Sequence, residues 1–598
     1  MTTRLLLAWL ALAVLAPAHL AAQGPDSAGT NPRRWRLDGD LGSEGELYRM
    51  SGRDPRRPPE TGTMFFNPTL AYGSLTVTGN FLLSTEGSSS LGLGGLPGRQ
   101  RINRFGLSPR WGWGKAYLGS FSDSYTALTW SGVRVDGVGL DLTPRAGALR
   151  FGMFTGSSRQ PVFGGATSGS FARRLVGARV GVGRRAAYGP SGTFLDVVFL
   201  RAADDPASLP PLADTTPVPY LPDSLAAEPD TALLPHVPIN PWAVTPQENA
   251  VLATAAGVSV LGGALSLTGE AAASIHSRDR RATPLPDEYV DDFPGFLRGL
   301  VSPRVGTHAD QAYKGQLDVH VARLPGATTT SPRSLTLSVG YQSIGAGYVS
   351  LGTPYMPNDL RGLDFRSQLR FRHWALQVDG LSQRDNLVGQ KLATTDRSRL
   401  GFALTVQPIR SWHAALRATT VGMQRDLADS LGGVDYAART LSTSQTWIPG
   451  NGSRIRSVTA SYTWQESGDE DPGRTGSQLD SHGADLRIAF HLGTRASITP
   501  SAGLTRSRVG TEPAATRALF GLAADWRDAA RRWVTSASAS RSQIGRTSAL
   551  TTRLSARWSV TEMDQLTLVW RTSRYRSLID AKMDFDEQVM SLRWGRRL

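Results

Sequence analysis

The chain has 598 residues, a formal net charge of +15 and no cysteine, so disulfides and thiolate metal centres are excluded. Hydrophobic residues make up 40% of it and mean hydropathy is −0.23, which leaves no stretch beyond the first residues able to act as a transmembrane helix. Its length would suggest several soluble domains, yet no segment after residue 24 carries a helical i, i+3, i+4 rhythm over three turns.

Met1 to Arg4 is a basic start, Leu5 to Ala18 an apolar core, and Ala21-Ala22 supply small residues before Gln23. This predicts a secretory signal peptide over 1–22, since the apolar run is too short to span a bilayer. Residues 23–62, rich in Gly, Pro and Arg, read as a periplasmic N-terminal tail within reach of a lumen. Strands are expected near 63–72, 74–85, 102–110, 111–121, 124–131, 132–143, 147–155, 172–183 and 192–203. The glycine-rich run Gly92 to Gly98 opens no helix and reads as a loop rather than a phosphate cradle.

Residues 204–248 carry eleven prolines and several carboxylates, a composition that cannot pair inside a sheet. They read as an extracellular insert, either a solvated loop or a constriction of the mouth. A second long loop, 277–310, joins Asp287, Glu288, Asp291 and Asp292 to the apolar run from Phe293 to Val301, and is the better lid candidate.

From residue 250 onward, seventeen segments alternate apolar with polar residues. In Ser548 to Val560, Leu550, Leu554, Trp558 and Val560 share one parity, and Arg553, Ser555, Arg557 and Ser559 the other. In an extended chain these are opposite faces, one suited to hydrocarbon and one to water. Leu566, Leu568 and Trp570 against Gln565, Thr567 and Arg571 repeat the pattern. Soluble strands average about 5 to 6 residues and tilted membrane strands about 9 to 11, so the segment length favours the membrane. Short and long connections alternate, as in outer-membrane barrels with short periplasmic turns and long outer loops. The expected fold is therefore all-β: a single large antiparallel transmembrane barrel over 63–598, of 22 to 26 strands with 26 as the best count, in an outer membrane.

Lys115, Lys314, Lys391 and Lys582 are the lysines, so nearly all of the 65 basic residues are arginine. Arg417, Arg487, Arg553, Arg557 and Arg571 fall on the polar parity and are candidate lumen-lining residues. Guanidinium groups there would attract anions and grip carboxylates or phosphates bidentately. The plainer alternative is that they sit in water, paired with Asp485 or its like. Such dispersed charge does not form a nucleic-acid patch. Trp111, Trp113, Trp130, Trp412, Trp447, Trp464, Trp526, Trp533, Trp558, Trp570 and Trp594 lie mostly near segment ends, which fits interfacial girdles better than a sugar-stacking track.

No catalytic set is visible: Ser274, His276 and Asp279, or Asp480, Ser481 and His482, mix strand faces, so no enzymatic role, metal or cofactor is expected. Leu592, Trp594 and Leu598, with Met590, resemble the C-terminal insertion signal read by the barrel-assembly machinery, with Leu where an aromatic residue is usual. Residues 103–109 (NRFGLSP), 348–359 (YVSLGTPYMPND) and 383–387 (QRDNL) resemble blocks of large uncharacterised outer-membrane β-barrel proteins of Bacteroidota-like bacteria. The resemblance spans roughly residues 100 to 400 and implies a location and a fold, but no substrate.

Three functions follow as expectations. One is a channel or transporter for polar solutes, with a small anionic solute favoured by the arginines. The second is a plugless secretion, polysaccharide-export or surface-assembly component whose cargo is an exported polymer. The third is a TonB-dependent receptor, disfavoured because about 40 residues lie between the cleavage site and the first expected strand, too few for that family's plug. In each, a wide lumen must be filled by loops or by a partner to keep the membrane sealed, and the surrounding partner is outer-membrane lipid.

Overall fold

The computed structural model describes residues 35–85, 103–144, 149–162, 169–185, 192–209, 244–286, 301–321, 333–427, 433–450, 452–469 and 476–598. The expected leader 1–22, the run 92–98, most of the proline-rich insert and the stretch Asp287 to Phe293 lie outside the described residues.

The first strands are β1 (Arg36–Ser51), β2 (Glu60–Tyr72), β3 (Leu75–Ser84), β4 (Arg104–Trp111), β5 (Gly114–Phe121), β6 (Ser124–Thr126), β7 (Trp130–Ser131), β8 (Val135–Leu142) and β9 (Leu149–Arg159). There follow β10 (Arg173–Gly183), β11 (Phe194–Asp204), β12 (Glu248–Val260), β13 (Leu265–Ser277), β14 (Thr307–Val321), β15 (Ser334–Ile344), β16 (Leu360–Arg370), β17 (Trp374–Asp385), β18 (Ala393–Ile409) and β19 (Trp412–Leu427). The remainder are β20 (Val434–Trp447), β21 (Ile455–Asp469), β22 (Leu479–Leu492), β23 (Ala496–Val509), β24 (Ala515–Arg527), β25 (Trp533–Ile544), β26 (Thr547–Ser559), β27 (Asp564–Ser577) and β28 (Phe585–Arg597).

Twenty-six of them form one sheet, and β6 and β7 form a separate hairpin. Each wall strand pairs antiparallel with its sequence neighbour, β5 reaches β8 across the hairpin, and β28 closes on β1 from Asp40↔Arg597 to Ser51↔Asp586. Closure satisfies every ladder and leaves no edge, which is the condition for a sheet to cross lipid. A circular wall of this strand number, with strands about 4.8 Å apart and tilted about 40°, is about 50 Å across at the backbone.

The register assigns faces. Leu554 lies opposite Trp570, Leu568 opposite Leu592, and Trp533 stacks on Trp558 at 5.1 Å, all on the outer parity. On β9 to β11, Leu149, Phe151, Met153, Val180, Val182, Leu195 and Val197 are exposed outward. Trp412, Trp447, Trp526, Trp533, Trp558 and Trp594 all lie where strands meet the short turns, and so form an aromatic girdle at that end. The described parts of the long connections (122–134, 160–162, 169–172, 205–209, 244–247, 278–286, 301–306, 345–359) lie at the other end, the extracellular one by the convention of this class. The molecule is a membrane-spanning barrel of the outer-membrane kind.

Two expectations about the front of the chain are corrected. Residues 36–51, read as part of a periplasmic tail, are the closing strand β1. Residues 124–131, read as a wall strand, instead form the inward β6–β7 hairpin, so Trp130 belongs to the interior and not to a girdle. The two errors offset each other, and the count of 26 stands.

Candidate functional site

The lumen is lined in two different ways. Along β5 and β8 to β15, an apolar, buried part of the inward parity, with Phe121, Phe154, Leu175, Val198, Leu200, Val251, Ala253, Ala272, Ala312 and Ile344, forms one cluster. Two segments from the long-loop end fold down onto it, the β6–β7 hairpin with Tyr125, Leu128 and Trp130, and loop 345–359 with Tyr348 and Leu351. Trp130 is 1% exposed and sits 4.0 Å from Phe154 and 5.2 Å from Tyr125, ring centre to ring centre. An inner layer thus lies against nine of the twenty-six wall strands.

Backbone polar groups of this layer are satisfied by side chains of the wall and of each other. Glu270 accepts from the Ala127 and Leu128 amides at 3.2 and 2.8 Å, fixing the tip of the hairpin. Tyr348 donates its hydroxyl to the Leu128 carbonyl at 2.7 Å, and Ser350 donates to that of Thr129. Asn249 accepts from Leu351 N and donates to the Val349 and Ile275 carbonyls. Gly352 approaches the hairpin so closely that a Cβ there would clash with the Thr129 carbonyl oxygen. Behind the layer, the fully buried Asp196 accepts from Arg150 and from Arg185 (2.8 Å), while Arg173 grips Asp204 through Nε and Nη2 at 2.6 and 2.9 Å. Buried charge is tolerated only when paired in this way.

Trp130→Ala removes the ring at the centre of the layer and is expected to destabilise its packing by about 3–5 kcal/mol. Hydrogen exchange should then accelerate in 122–134 and 345–359 while the wall strands keep their protection.

Burial pushes the hydroxyls of Tyr125 and Tyr348 above the ordinary tyrosine range. A raised pKa in the packed state contributes stability that is complete below the ordinary value of about 10 and is lost as pH rises above it. Conductance is therefore expected to stay level up to about pH 10 and to rise beyond it as the layer loosens. A level trace through that range would contradict the packing.

The rest of the wall is polar inside. Arg417 (β19), Arg487 (β22), Arg553 and Arg557 (β26) and Arg571 (β27) all lie on the parity opposite the lipid-facing residues, and the first four are exposed. Arg553 stands directly opposite Arg571 in the ladder. Glu587 lies 4.0 Å from Arg571, and among the described residues no carboxylate lies within 4.0 Å of the other four. Like charges face to face cost stability, so nothing in the wall's own energetics calls for this pairing.

No protein-family model matches the sequence, and no curated protein matches it. Among solved structures the chain is similar to the P pilus usher (PapC) translocation pore, at 12% identity over 94% of this chain and 100% of that one, with a TM-score of 0.35. It is similar to the FrpB iron transporter from Neisseria meningitidis (F3-3 variant), at 10% identity, 94% and 82% coverage and a TM-score of 0.37. A mutant of the ferric enterobactin receptor from Pseudomonas aeruginosa, in complex with enterobactin, gives 8% identity, 95% and 82% coverage and a TM-score of 0.41.

The lid candidates Asp287, Glu288, Asp291, Asp292 and Phe293 lie outside the described residues. The base of their loop is a ribbon, with Val305 N donating to Thr283 O and Leu285 N to Pro303 O. Val301 packs there on Ala250 and Ile275, beside Phe199 and Ala309, on the outward parity of the wall. Loop 345–359 is the one that turns inward, and it coincides with the block 348–359. The block at 383–387 braces it: Leu387 N donates to Asp359 at 2.7 Å, and Asp359 and Asn386 both hold left-handed backbone conformations. Leu592 and Trp594 face outward on the closing strand, and Leu598 N bonds Gly39 O across the seam. The signal that would have revealed the inner layer is present in β11 and β12 (FLDVVFLRAAD, ENAVLATAAG), which are apolar on both faces.

Proposed function

We propose that the protein is a non-enzymatic outer-membrane channel for polar, anionic solutes, narrowed by its own inner layer. The observation that carries this reading is the set of exposed inward arginines without carboxylate partners among the described residues, facing a lumen whose other side is covered. Guanidinium groups in a restricted, low-dielectric passage raise the local anion concentration and replace part of an anion's hydration shell. Because two wall-derived loops supply the covering, the passage is restricted without a partner protein, which counts against a plugless export pore. The test is the reversal potential of the reconstituted protein across a salt gradient. Anion-selective reversal supports the reading, and cation-selective or unselective reversal removes it.

A further inference from the structure

At the long-loop mouth, above the inner layer, lies a recess of about 510 Å³ lined by Arg159, Arg173, Arg278, His276, His308 and Thr353. Arg159 reaches it through a β-bulge. Arg174 pairs with Ser157 whereas Arg173 pairs with Arg159, so Ser158 is the extra residue and the parity of β9 reverses beyond it. In an unbroken ladder Arg159 would share the outward face of Leu149, Phe151 and Met153. Bulges of this kind re-aim a side chain at the cost of local pairing.

The charges of the recess are unevenly paired. Arg173 is neutralised by the buried Asp204, and Asp310, beside His308, accepts from the Gln311 and Gly347 amides at 2.7 and 2.8 Å. Among the described residues neither Arg159 nor Arg278 has a carboxylate within 4.0 Å. His276 is 5% exposed, with Nδ1 3.4 Å from His308 Nε2, and its own Nε2 has no partner among the described residues. The Thr353 hydroxyl is likewise buried without a partner among the described residues. His308 Nδ1 donates to the Gly306 carbonyl at 3.3 Å, so its Nε2 accepts from His276 Nδ1–H and His276 Nε2 is left as an acceptor. Orphaned buried polar atoms are costly, and here two of them border two unpaired guanidinium groups.

We propose that this recess binds a small oxyanion, a carboxylate or phosphoryl group of a solute, between Arg159 and Arg278, with the Thr353 hydroxyl as a further donor. The inference deepens the anion-channel reading and rests on it for its place in transport, but binding is measured apart from conduction. The full-length protein, refolded in detergent, is titrated calorimetrically with inorganic phosphate and separately with succinate. Wild type is expected to bind at least one of them saturably, and the stronger of the two identifies the group. Arg159→Gln with Arg278→Gln should weaken binding at least tenfold, and Thr353→Val several-fold. Arg553→Gln with Arg571→Gln, on the open wall, should leave it unchanged. No saturable binding of either anion by folded wild type, or equal loss from the open-wall pair, overturns the site. Heat-modifiable gel mobility reports folding, and Thr353→Val keeps the test decisive if the double variant misassembles. Anion-selective conduction without binding would remove the site and leave the channel reading; binding without selectivity would do the reverse.

Discussion

Replacing residues 346–357 with a short Gly-Ser link is expected to raise single-channel conductance several-fold while the barrel still assembles. The ends of this loop already meet, since Asp359 N donates to Gly345 O at 3.0 Å and Ile344 pairs with Leu360 in the wall. The excision therefore asks nothing of the ladder. It removes Tyr348 and Leu351 from the inner cluster and takes away the hydroxyls that hold the Leu128 and Thr129 carbonyls of the hairpin. Leu128 and Trp130 would then be left against water, and the hairpin should loosen with the loop. Conductance grows with open cross-section, so bilayer recordings check the result directly. An unchanged conductance would mean that the current does not pass the inner layer.

Reversing the charge of Arg487, Arg553, Arg557 and Arg571 to Glu is expected to turn an anion-selective pore into a cation-selective one. These side chains point into the lumen, and three of them, Arg487, Arg553 and Arg557, lack a carboxylate partner among the described residues, so their charge is available to permeating ions. The shift in permeability ratio should be about tenfold or more at low salt and shrink as the Debye length falls from about 30 Å at 0.01 M to about 3 Å at 1 M. The corresponding Arg→Lys set should keep anion selectivity, because it preserves charge, while losing discrimination between flat oxyanions and chloride, because it loses the fork. Selectivity that survives charge reversal would place the limiting passage elsewhere.

The sequence reveals the wall clearly because its side chains obey a period of two, with Leu554, Trp558 and Trp570 outward against Arg553, Arg557 and Arg571 inward. β1 escapes that reading for a physical reason. Its outward parity holds Leu37, Leu41 and Leu47 interrupted by glycines, serines and Arg49, and its inward parity holds Asp38, Asp40, Glu44 and Glu46, so it looks like a tail. The hairpin 124–131 misleads in the opposite sense, since Tyr125, Leu128 and Trp130 are apolar for the sake of the inner layer and not for lipid. The inner layer itself joins residues some 220 positions apart, as in Tyr348 to Leu128, and no local pattern encodes such a pairing. The bulge that turns Arg159 inward is a one-residue event that strand parity alone cannot show.

The central claim is a lumen divided between a covered wall and an open, arginine-lined passage. The absence of native cysteine makes thiol chemistry clean. We would record single channels while adding a water-soluble methanethiosulfonate to Arg553→Cys on the open wall and to Val198→Cys beneath the inner layer, where the native side chain is 0% exposed. The division predicts a stepwise fall in current at position 553 and no reaction at 198 until the loop 346–357 is removed. Equal reaction at both positions of the intact barrel, or modification of 553 without effect on current, would contradict it.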